Sequence, residues 1–198
     1  MLTAEQNELL IGGILGDCYV EKSNVNCRVA FDHSISQLEY LEWKHSILQP
    51  YSSKIVKYCI LDKRNNETYH KVRFKTLTNQ IFNPYHKLFY ANKTKIVPTT
   101  IKDYLKTELA LAVWYLDNGA LRTDCKGLRL HTNSFSYDEV ILLKNLLLEN
   151  FKIDSKPHKQ GKGYNLYIGT FHKQSEKFCD IIRPVVASKI PSMLYKLL

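Results

Sequence analysis

Residues 10–18 of the chain read LIGGILGDC, and residues 111–119 read LAVWYLDNG. Both stretches are apolar and long enough to form buried helices, and both end in an acid or amide next to a glycine. Small residues interrupt the apolar runs, chiefly Gly12 and Gly13 in the first and Ala112 in the second. Because small residues let helix backbones approach closely, we expect the two helices to pack side by side. Their ends would then bring Asp17 and Asn118 together.

Other landmarks recur at the spacing of these two motifs. Residues 36–39 and 136–139 both read Ser-x-x-Glu, a capping box that opens a helix, and we expect these helices to end near Gln49 and Asn150. A third capping pair, Thr3 with Gln6, precedes the first motif. The KIVP sequence at residues 95–98 is echoed by KIP at 189–191. Landmarks in the same order indicate a duplicated unit, with one half at residues 1–95 and the other at 96–198.

Strand-like stretches separate the predicted helices. They are rich in β-branched and aromatic residues and are bounded by Asn, Gly and Pro. They lie at residues 27–33, 54–62 and 68–76 in the first half and at 127–133, 153–159 and 164–170 in the second. We assign each half the order helix, two strands, helix, two strands, helix, although only three strand-like stretches stand out in each half. The prediction is an α/β (α+β) protein made of two αββαββα halves in one pseudo-twofold unit.

The charge balance favours an anionic partner. The chain has 28 Lys and Arg against 19 Asp and Glu, a net charge of +9, which is typical of nucleic-acid-binding proteins, although solvated surface charge is the alternative. The five cysteines and seven histidines show no disulfide or zinc spacing, which favours a reducing, intracellular compartment. The polar N-terminus and the lack of a long apolar run predict neither a signal peptide nor a membrane partner.

Cationic and hydrogen-bonding side chains alternate with apolar ones on the predicted strands. Because residues two apart on a strand share a face, such strands would present one cationic face. An antiparallel ribbon of this kind can enter the major groove of DNA, although a solvated sheet face is the simpler alternative for any one strand. The candidate DNA-binding residues are Lys54, Lys57, Lys71, Arg73, Lys75, Arg129, His131, Lys156, His158, Lys159, Tyr164 and Tyr167.

The two motifs resemble the LAGLIDADG motif, and two copies about a hundred residues apart resemble the monomeric, pseudo-symmetric LAGLIDADG homing endonucleases. The omega-type mitochondrial intron endonucleases are the nearest resemblance, through residues 82–83, 88–89, 133–136 and 190–197. The resemblance implies saddle-shaped antiparallel sheets and a monomer that cuts long double-stranded DNA sites to mobilise an intron or intein. It also implies coding in a mitochondrion or chloroplast, or in a prokaryote or phage.

The resemblance also implies roles for particular residues. The residue at the eighth position of each motif, Asp17 and Asn118, would hold Mg²⁺, with Mn²⁺ as a substitute, and oxygen ligands favour these ions over zinc. A basic residue near the centre assists, and Lys196 is the candidate in the second half. In the first half Thr78 stands where a lysine is expected. Lys75 is the nearest basic residue and becomes the candidate, with a phosphate contact as its other role.

Asn118 departs from the acid that the family carries at this position. An asparagine can still ligate a metal through its carbonyl oxygen, but the negative charge falls by one. Asp117 is adjacent, yet one helical residue turns a side chain by about 100°, so we expect Asp117 to point away from the motif interface. Three functions stay open: a site-specific DNA endonuclease, which Asn118 could reduce to a nickase or a weak endonuclease; a maturase that supports the folding of intron RNA; and a non-cleaving DNA-binding regulator.

Overall fold

The computed structural model describes residues 1–198. The first half contains α1 (Ala4–Leu15), β1 (Tyr19–Ser23), β2 (Asn26–Ser34), α2 (Leu38–Ile47), β3 (Val56–Asp62), β4 (Glu67–Lys75) and α3 (Asn83–Phe89). The connection to the second half contains β5 (Tyr90–Ala91), β6 (Thr94–Lys95) and α4 (Ile101–Tyr104). The second half contains α5 (Glu108–Asn118), β7 (Gly119–Leu121), β8 (Leu128–Leu130), α6 (Tyr137–Phe151), β9 (Lys156–Gln160), β10 (Gly163–Ile168) and α7 (Gln174–Lys189).

Two four-stranded antiparallel sheets repeat the same strand order. The first runs β1-β2-β4-β3 and the second runs β7-β8-β10-β9. The predicted duplicated αββαββα architecture is therefore confirmed. The sequence pattern missed β1 and β7, which follow directly after the motif helices. Strand β1 reads YVEKS and β7 has only three residues, so neither shows a clear apolar alternation.

Two of the three predicted capping boxes form. Thr3 and Gln6 form the expected capping box at α1, and Ser136 and Glu139 form the one at α6. At α2 the prediction is wrong, because Ser34, at the end of β2, caps a 3₁₀ turn over residues 35–37 instead. The α-helix then begins at Leu38 without a side-chain cap.

The motif helices α1 and α5 pack against each other in the centre of the core. A Cβ atom on Gly12 would lie only 2.3 Å from the Ala110 carbonyl oxygen, and one on Gly16 would lie 2.5 Å from Asp117 Cβ. Residues 109–116 of α5 are all buried. The helices therefore approach as closely as their small residues allow, and no larger side chain fits at Gly12.

One face of each sheet is covered by helices, and the other is free of them. In β2 the side chains of Cys27, Val29 and Phe31 are buried, while the residues between them are partly exposed. The same alternation in β4 buries Val72 and Phe74. We refer to the opposite side as the helix-free face. None of the helices combines the length and the hydropathy needed to cross a bilayer.

Candidate active site between the motif helices

Asp17 and Asn118 are brought together where the two motif helices end. The Asn118 side-chain amide donates to the Leu15 carbonyl at 3.4 Å, across the helix pair. The backbone N–H of Asp17 lies 3.4 Å from a carboxylate oxygen of Asp117 and donates to it. The end of each motif thus contacts the other, as the close packing of α1 and α5 requires.

The surroundings of Asp17 disfavour its ionised form. Asp17 is exposed, but surrounding protein atoms displace part of the water around its carboxyl group. This desolvation, followed by the nearby charge of Asp117, raises the pKa of Asp17 to about 6. A carboxylate in such surroundings is stabilised by a cation at its open side.

The donor atoms at this point fit a hard divalent cation. The Asp17 carboxylate supplies charged oxygens, and the Asn118 amide keeps its carbonyl oxygen free because its nitrogen makes the contact to Leu15. No cluster of three His, Cys, Asp or Glu side chains is present that could form a closed metal cage. Mg²⁺ binds in this way, through one or two protein oxygens together with water and substrate phosphate.

Two lysines occupy equivalent positions beside this site. Lys196 Nζ donates to the carbonyls of Leu116 at 2.7 Å and Gly119 at 3.1 Å, at the end of α5. Lys95 Nζ donates to the carbonyls of Ile14 at 2.8 Å and Gly16 at 3.0 Å, at the end of α1. Burial lowers the pKa of both lysines. The two cations also interact favourably with the negative ends of the helix dipoles.

Lys95, and not Lys75, is the first-half counterpart of Lys196. Lys75 lies on β4 and makes an ion pair with Glu21 of β1 at 2.8 Å, whereas Lys95 contacts the end of α1, which favours Lys95 over Lys75 in this role. The signal for Lys95 was present in the sequence, because Lys95 and Lys196 are 101 positions apart, the same separation as Asp17 and Asn118. The similarity of the KIVP and KIP sequences matched Lys95 to Lys189. Lys189, however, makes an ion pair with Glu5.

Asp117 is buried in a polar cluster that joins the two halves. Its carboxylate accepts from Lys44 Nζ at 2.6 Å and from the Tyr40 hydroxyl at 2.9 Å, and His33 Nε2 lies 3.0 Å from the same Lys44 nitrogen. The expectation that Asp117 points away from the motif interface is therefore wrong. Gly16 has no side chain and leaves space for Asp117, while α2 of the first half supplies the lysine.

The charges in this cluster balance one another. Burial by itself raises the pKa of Asp117, but the Lys44 ammonium outweighs it and holds that pKa below its usual value. Burial, together with Lys44, lowers the pKa of His33 to about 4. At neutral pH the cluster is a Lys44–Asp117 ion pair beside a neutral histidine. Because Asp117 is enclosed, it is not available as a metal ligand.

Three of the predicted first-half cations lie on the helix-free face. Directly paired residues of neighbouring strands share a face, and Lys71, Arg73 and Lys75 pair with Ser34, Asp32 and Ala30, which alternate with the buried residues of β2. Lys54 lines the same cleft as Arg73 and Lys75. Lys71 is paired with Asp32 at 3.0 Å. Four of the five predicted first-half residues thus line one surface.

The second half presents a similar but less charged surface. Arg129 pairs with Tyr167, which pairs with Lys156 on β9, so the three side chains share the helix-free face. His158 stacks on Tyr167 with ring centroids 4.7 Å apart. His131 follows β8 on the same side, and its backbone N–H donates to the backbone carbonyl of Asn118 at 2.8 Å, which places it next to the active site.

Three predicted DNA-binding residues lie on the other side of their sheets. Lys57 pairs with the buried Val72, and Lys159 pairs with Tyr164. The Tyr164 ring contacts Tyr137 of α6, with centroids 4.9 Å apart, so this face is covered by helices. Because successive residues of a strand point to opposite faces, Lys159 cannot share a face with His158. The assignments of Lys57, Lys159 and Tyr164 are corrected accordingly.

Comparison with known proteins identifies the family. Residues 7–178 match the model of the LAGLIDADG DNA endonuclease family. The chain belongs to this family. It is 32% identical over 203 residues to the cytochrome b mRNA maturase bI2 of Debaryomyces hansenii, covering 99% of this chain and 74% of that protein. It is 31% identical to the probable intron-encoded endonuclease 1 of Wickerhamomyces canadensis, covering 100% of this chain and 85% of that protein.

A solved structure shows the same LAGLIDADG architecture. The homing endonuclease I-WcaI, bound to its DNA recognition sequence, matches with a TM-score of 0.88 at 29% identity, over 100% of this chain and 88% of that chain. The predicted membership of the LAGLIDADG homing endonuclease family and the predicted fold are thereby confirmed. The individual site residues, the choice of Mg²⁺ and the monomeric state stay predictions.

Proposed function

We propose that this homing endonuclease is a monomer that hydrolyses phosphodiester bonds of a long double-stranded DNA site, using Asp17 and Asn118 with Mg²⁺ or Mn²⁺. The meeting of the two motif ends between Lys95 and Lys196 carries the proposal. Both halves of the site belong to one chain, so a single copy contains every proposed catalytic residue. We take the halves to divide at residues 95 and 96, and the gene to be organellar, as the intron-encoded relatives indicate.

The residues of the site have separable roles in this proposal. Asp17 and the side-chain carbonyl oxygen of Asn118 would hold the metal, which would supply charge stabilisation at the scissile phosphate and activate water. Lys95 and Lys196 each have three N–H donors and spend two on backbone carbonyls. The third donor of each is free for a phosphate oxygen or a water molecule. Lys71, Arg73 and Arg129 position the duplex through its backbone.

We expect Asn118→Asp to raise Mg²⁺-dependent cleavage by about tenfold, which corresponds to ~1.4 kcal/mol of added transition-state stabilisation. The change restores a negative charge at the second motif end without altering the size of the side chain. The measurement is the rate of cleavage of each strand, on a duplex selected by binding from a randomised library. Asn118→Ala is the control and should cleave more slowly than the unaltered protein. If Asn118→Asp binds the duplex but does not cleave it with Mg²⁺ or Mn²⁺, the metal-site assignment is contradicted.

We expect Lys95→Met and Lys75→Met to separate catalysis from binding. Loss of Lys95 should slow cleavage by about 100-fold, as for other donors that stabilise transition-state charge, with little change in affinity. Loss of Lys75 should instead weaken binding and lower the slope of log affinity against log salt by about one, because one phosphate contact disappears. Single-turnover cleavage and salt-dependent binding measure the two effects. If loss of Lys75 slows cleavage and loss of Lys95 weakens binding, Lys75 and not Lys95 belongs to the active site.

A maturase function is the second candidate. It is favoured by the neutral Asn118 and by the relatives from Debaryomyces hansenii and Saccharomyces cerevisiae, both named cytochrome b mRNA maturase bI2. Mobility-shift titrations compare the selected duplex with the RNA of the intron that encodes the chain. Tight RNA binding without DNA cleavage, by this chain and by Asn118→Asp, would establish the maturase in place of the endonuclease.

A further inference from the structure

Strand β3 carries an apolar row on the helix-free face. Val56 pairs with Arg73, Tyr58 with Lys71 and Ile60 with Tyr69, so the β3 side chains share the face of the cations on β4. Val56 is 47% exposed and Ile60 is 44% exposed, so neither belongs to the core. Two aliphatic side chains therefore stand beside a cationic row on an otherwise polar surface.

The tyrosine between them is held in place. The Tyr58 hydroxyl donates to the Asp32 carboxylate, and the Arg73 guanidinium lies 4.6 Å from the ring centroid. These contacts occupy the polar group of Tyr58 and one face of its ring. Val56 and Ile60, on either side of it, make no such contacts and remain exposed apolar surface.

The fold itself does not require an apolar strand here. Strand β9 occupies the equivalent edge of the second sheet, and its side chains on the helix-free face are Lys156, His158 and Gln160. All three are polar. Of these two edge strands, only β3 therefore carries an apolar row. The helix-free faces of the two halves differ chemically at this edge.

A thymine-containing major groove fits this surface. On the neighbouring strand Lys71 and Lys75 pair with Asp32 and Glu21, while Arg73 makes no ion pair. The three cations outnumber these two carboxylates, so the face would attract an anionic duplex and repel a second copy of itself. The C5-methyl of thymine is the apolar group that base pairs display in the major groove. We propose that Val56 and Ile60 contact thymine methyl groups in the half-site covered by the first half. This inference rests on the proposed DNA-cleaving function and concerns its sequence preference.

The strand geometry sets the spacing of the contacts. Val56 and Ile60 are four residues apart, which is roughly 13 Å along a strand. Base pairs rise by about 3.4 Å, so the two contacted thymines lie about four base pairs apart, on either strand. The second half-site, read by Lys156 and His158, carries no such requirement.

The test removes single methyl groups from the DNA. The probe is a duplex selected for binding in EDTA from a randomised library, with each thymine replaced in turn by deoxyuridine. For the unaltered protein we expect about fourfold weaker binding for each contacted methyl group, at two positions about four base pairs apart. A variant carrying Val56→Ser and Ile60→Ser should lose this sensitivity. His158→Ala, on the second half, should retain it.

The exposed cysteines of the chain allow a measurement of which half-site lies against which half of the protein. Cys59 and Cys125 are exposed and the other three are buried, so Cys59→Ser leaves Cys125 as the exposed thiol. An iron chelate attached to Cys125 would cut the DNA beside the second half. The inference is overturned if uracil is tolerated throughout the first half-site, or if the serine variant stays equally sensitive. Failure of every duplex to bind would instead refute the proposed function.

Discussion

Replacing Lys44 by methionine is expected to lower the free energy of unfolding by about 3–5 kcal/mol, because it leaves the buried carboxylate of Asp117 without its ion-pair partner. Both side chains are fully inaccessible to solvent and their charged atoms are 2.6 Å apart. The Tyr40 hydroxyl would remain as a neutral donor to Asp117, which is too weak to stabilise a buried charge. Urea denaturation monitored by circular dichroism measures the loss.

Two further variants show whether the charge causes that loss. Lys44→Met combined with Asp117→Leu removes both charges, and we expect it to be more stable than Lys44→Met alone. Lys144 is 100 positions after Lys44 on α6, is partly exposed and makes no ion pair, so Lys144→Met should change stability by less than about 0.5 kcal/mol. If the double variant is no more stable than Lys44→Met, packing rather than charge explains the effect.

Asp17→Asn is expected to slow cleavage by about 1,000-fold, a loss of ~4 kcal/mol of transition-state stabilisation, while the DNA affinity is kept. The change removes the charged metal ligand and also a negative charge that faces the phosphates. Single-turnover cleavage and binding in EDTA, on the same selected duplex, separate the two effects. Asp32→Asn is the matched control, because the Asp32 carboxylate lies on the helix-free face and accepts from Tyr58 and Lys71 of the first sheet. Equal losses of cleavage in both variants would contradict the assignment of Asp17.

Asp17→Asn also has an expected effect on stability. The pKa of Asp17 is raised to about 6 in the folded chain, so the folded state binds a proton more tightly than the unfolded state does. Stability contributed by this proton is present at pH 4 and is lost as the pH rises through 6. The neutral variant should therefore gain stability relative to the unaltered chain at pH 8 in EDTA, and not at pH 4. Denaturation curves at the two pH values measure the difference.

Local patterns predicted much of the fold and the centre of the site. The paired motifs, with glycines where α1 and α5 touch, predicted the helix packing and the meeting of Asp17 with Asn118. The separation of 101 positions between the two motif ends predicted two similar halves. The sequence predicts these features because they depend on residue types within a short stretch of the chain. An apolar run predicts a buried helix, and small residues within it predict that another helix packs closely against it.

The errors lie where the outcome depends on distant residues. Asp117 was expected to point away from the motif interface, since one helical step rotates a side chain. Instead, Lys44 and Tyr40 of α2 donate to its carboxylate. Lys57 and Lys159 were assigned to the cationic face because they stand near other cations, yet successive residues of a strand point to opposite faces. The separation of 101 positions between the motif ends also relates Lys95 to Lys196. The similar KIVP and KIP sequences matched Lys95 to Lys189 instead.

The sequence by itself determined the duplicated architecture, the helix pair at its centre and the residues at the motif ends, because each follows from periodicity, residue size and spacing along the chain. Only the tertiary structure decided which cations reach the helix-free face, which lysine accompanies Asp17, and that Asp117 belongs to a buried ion pair. Those outcomes depend on strand register and on the meeting of side chains far apart in the chain, and short-range patterns do not specify either.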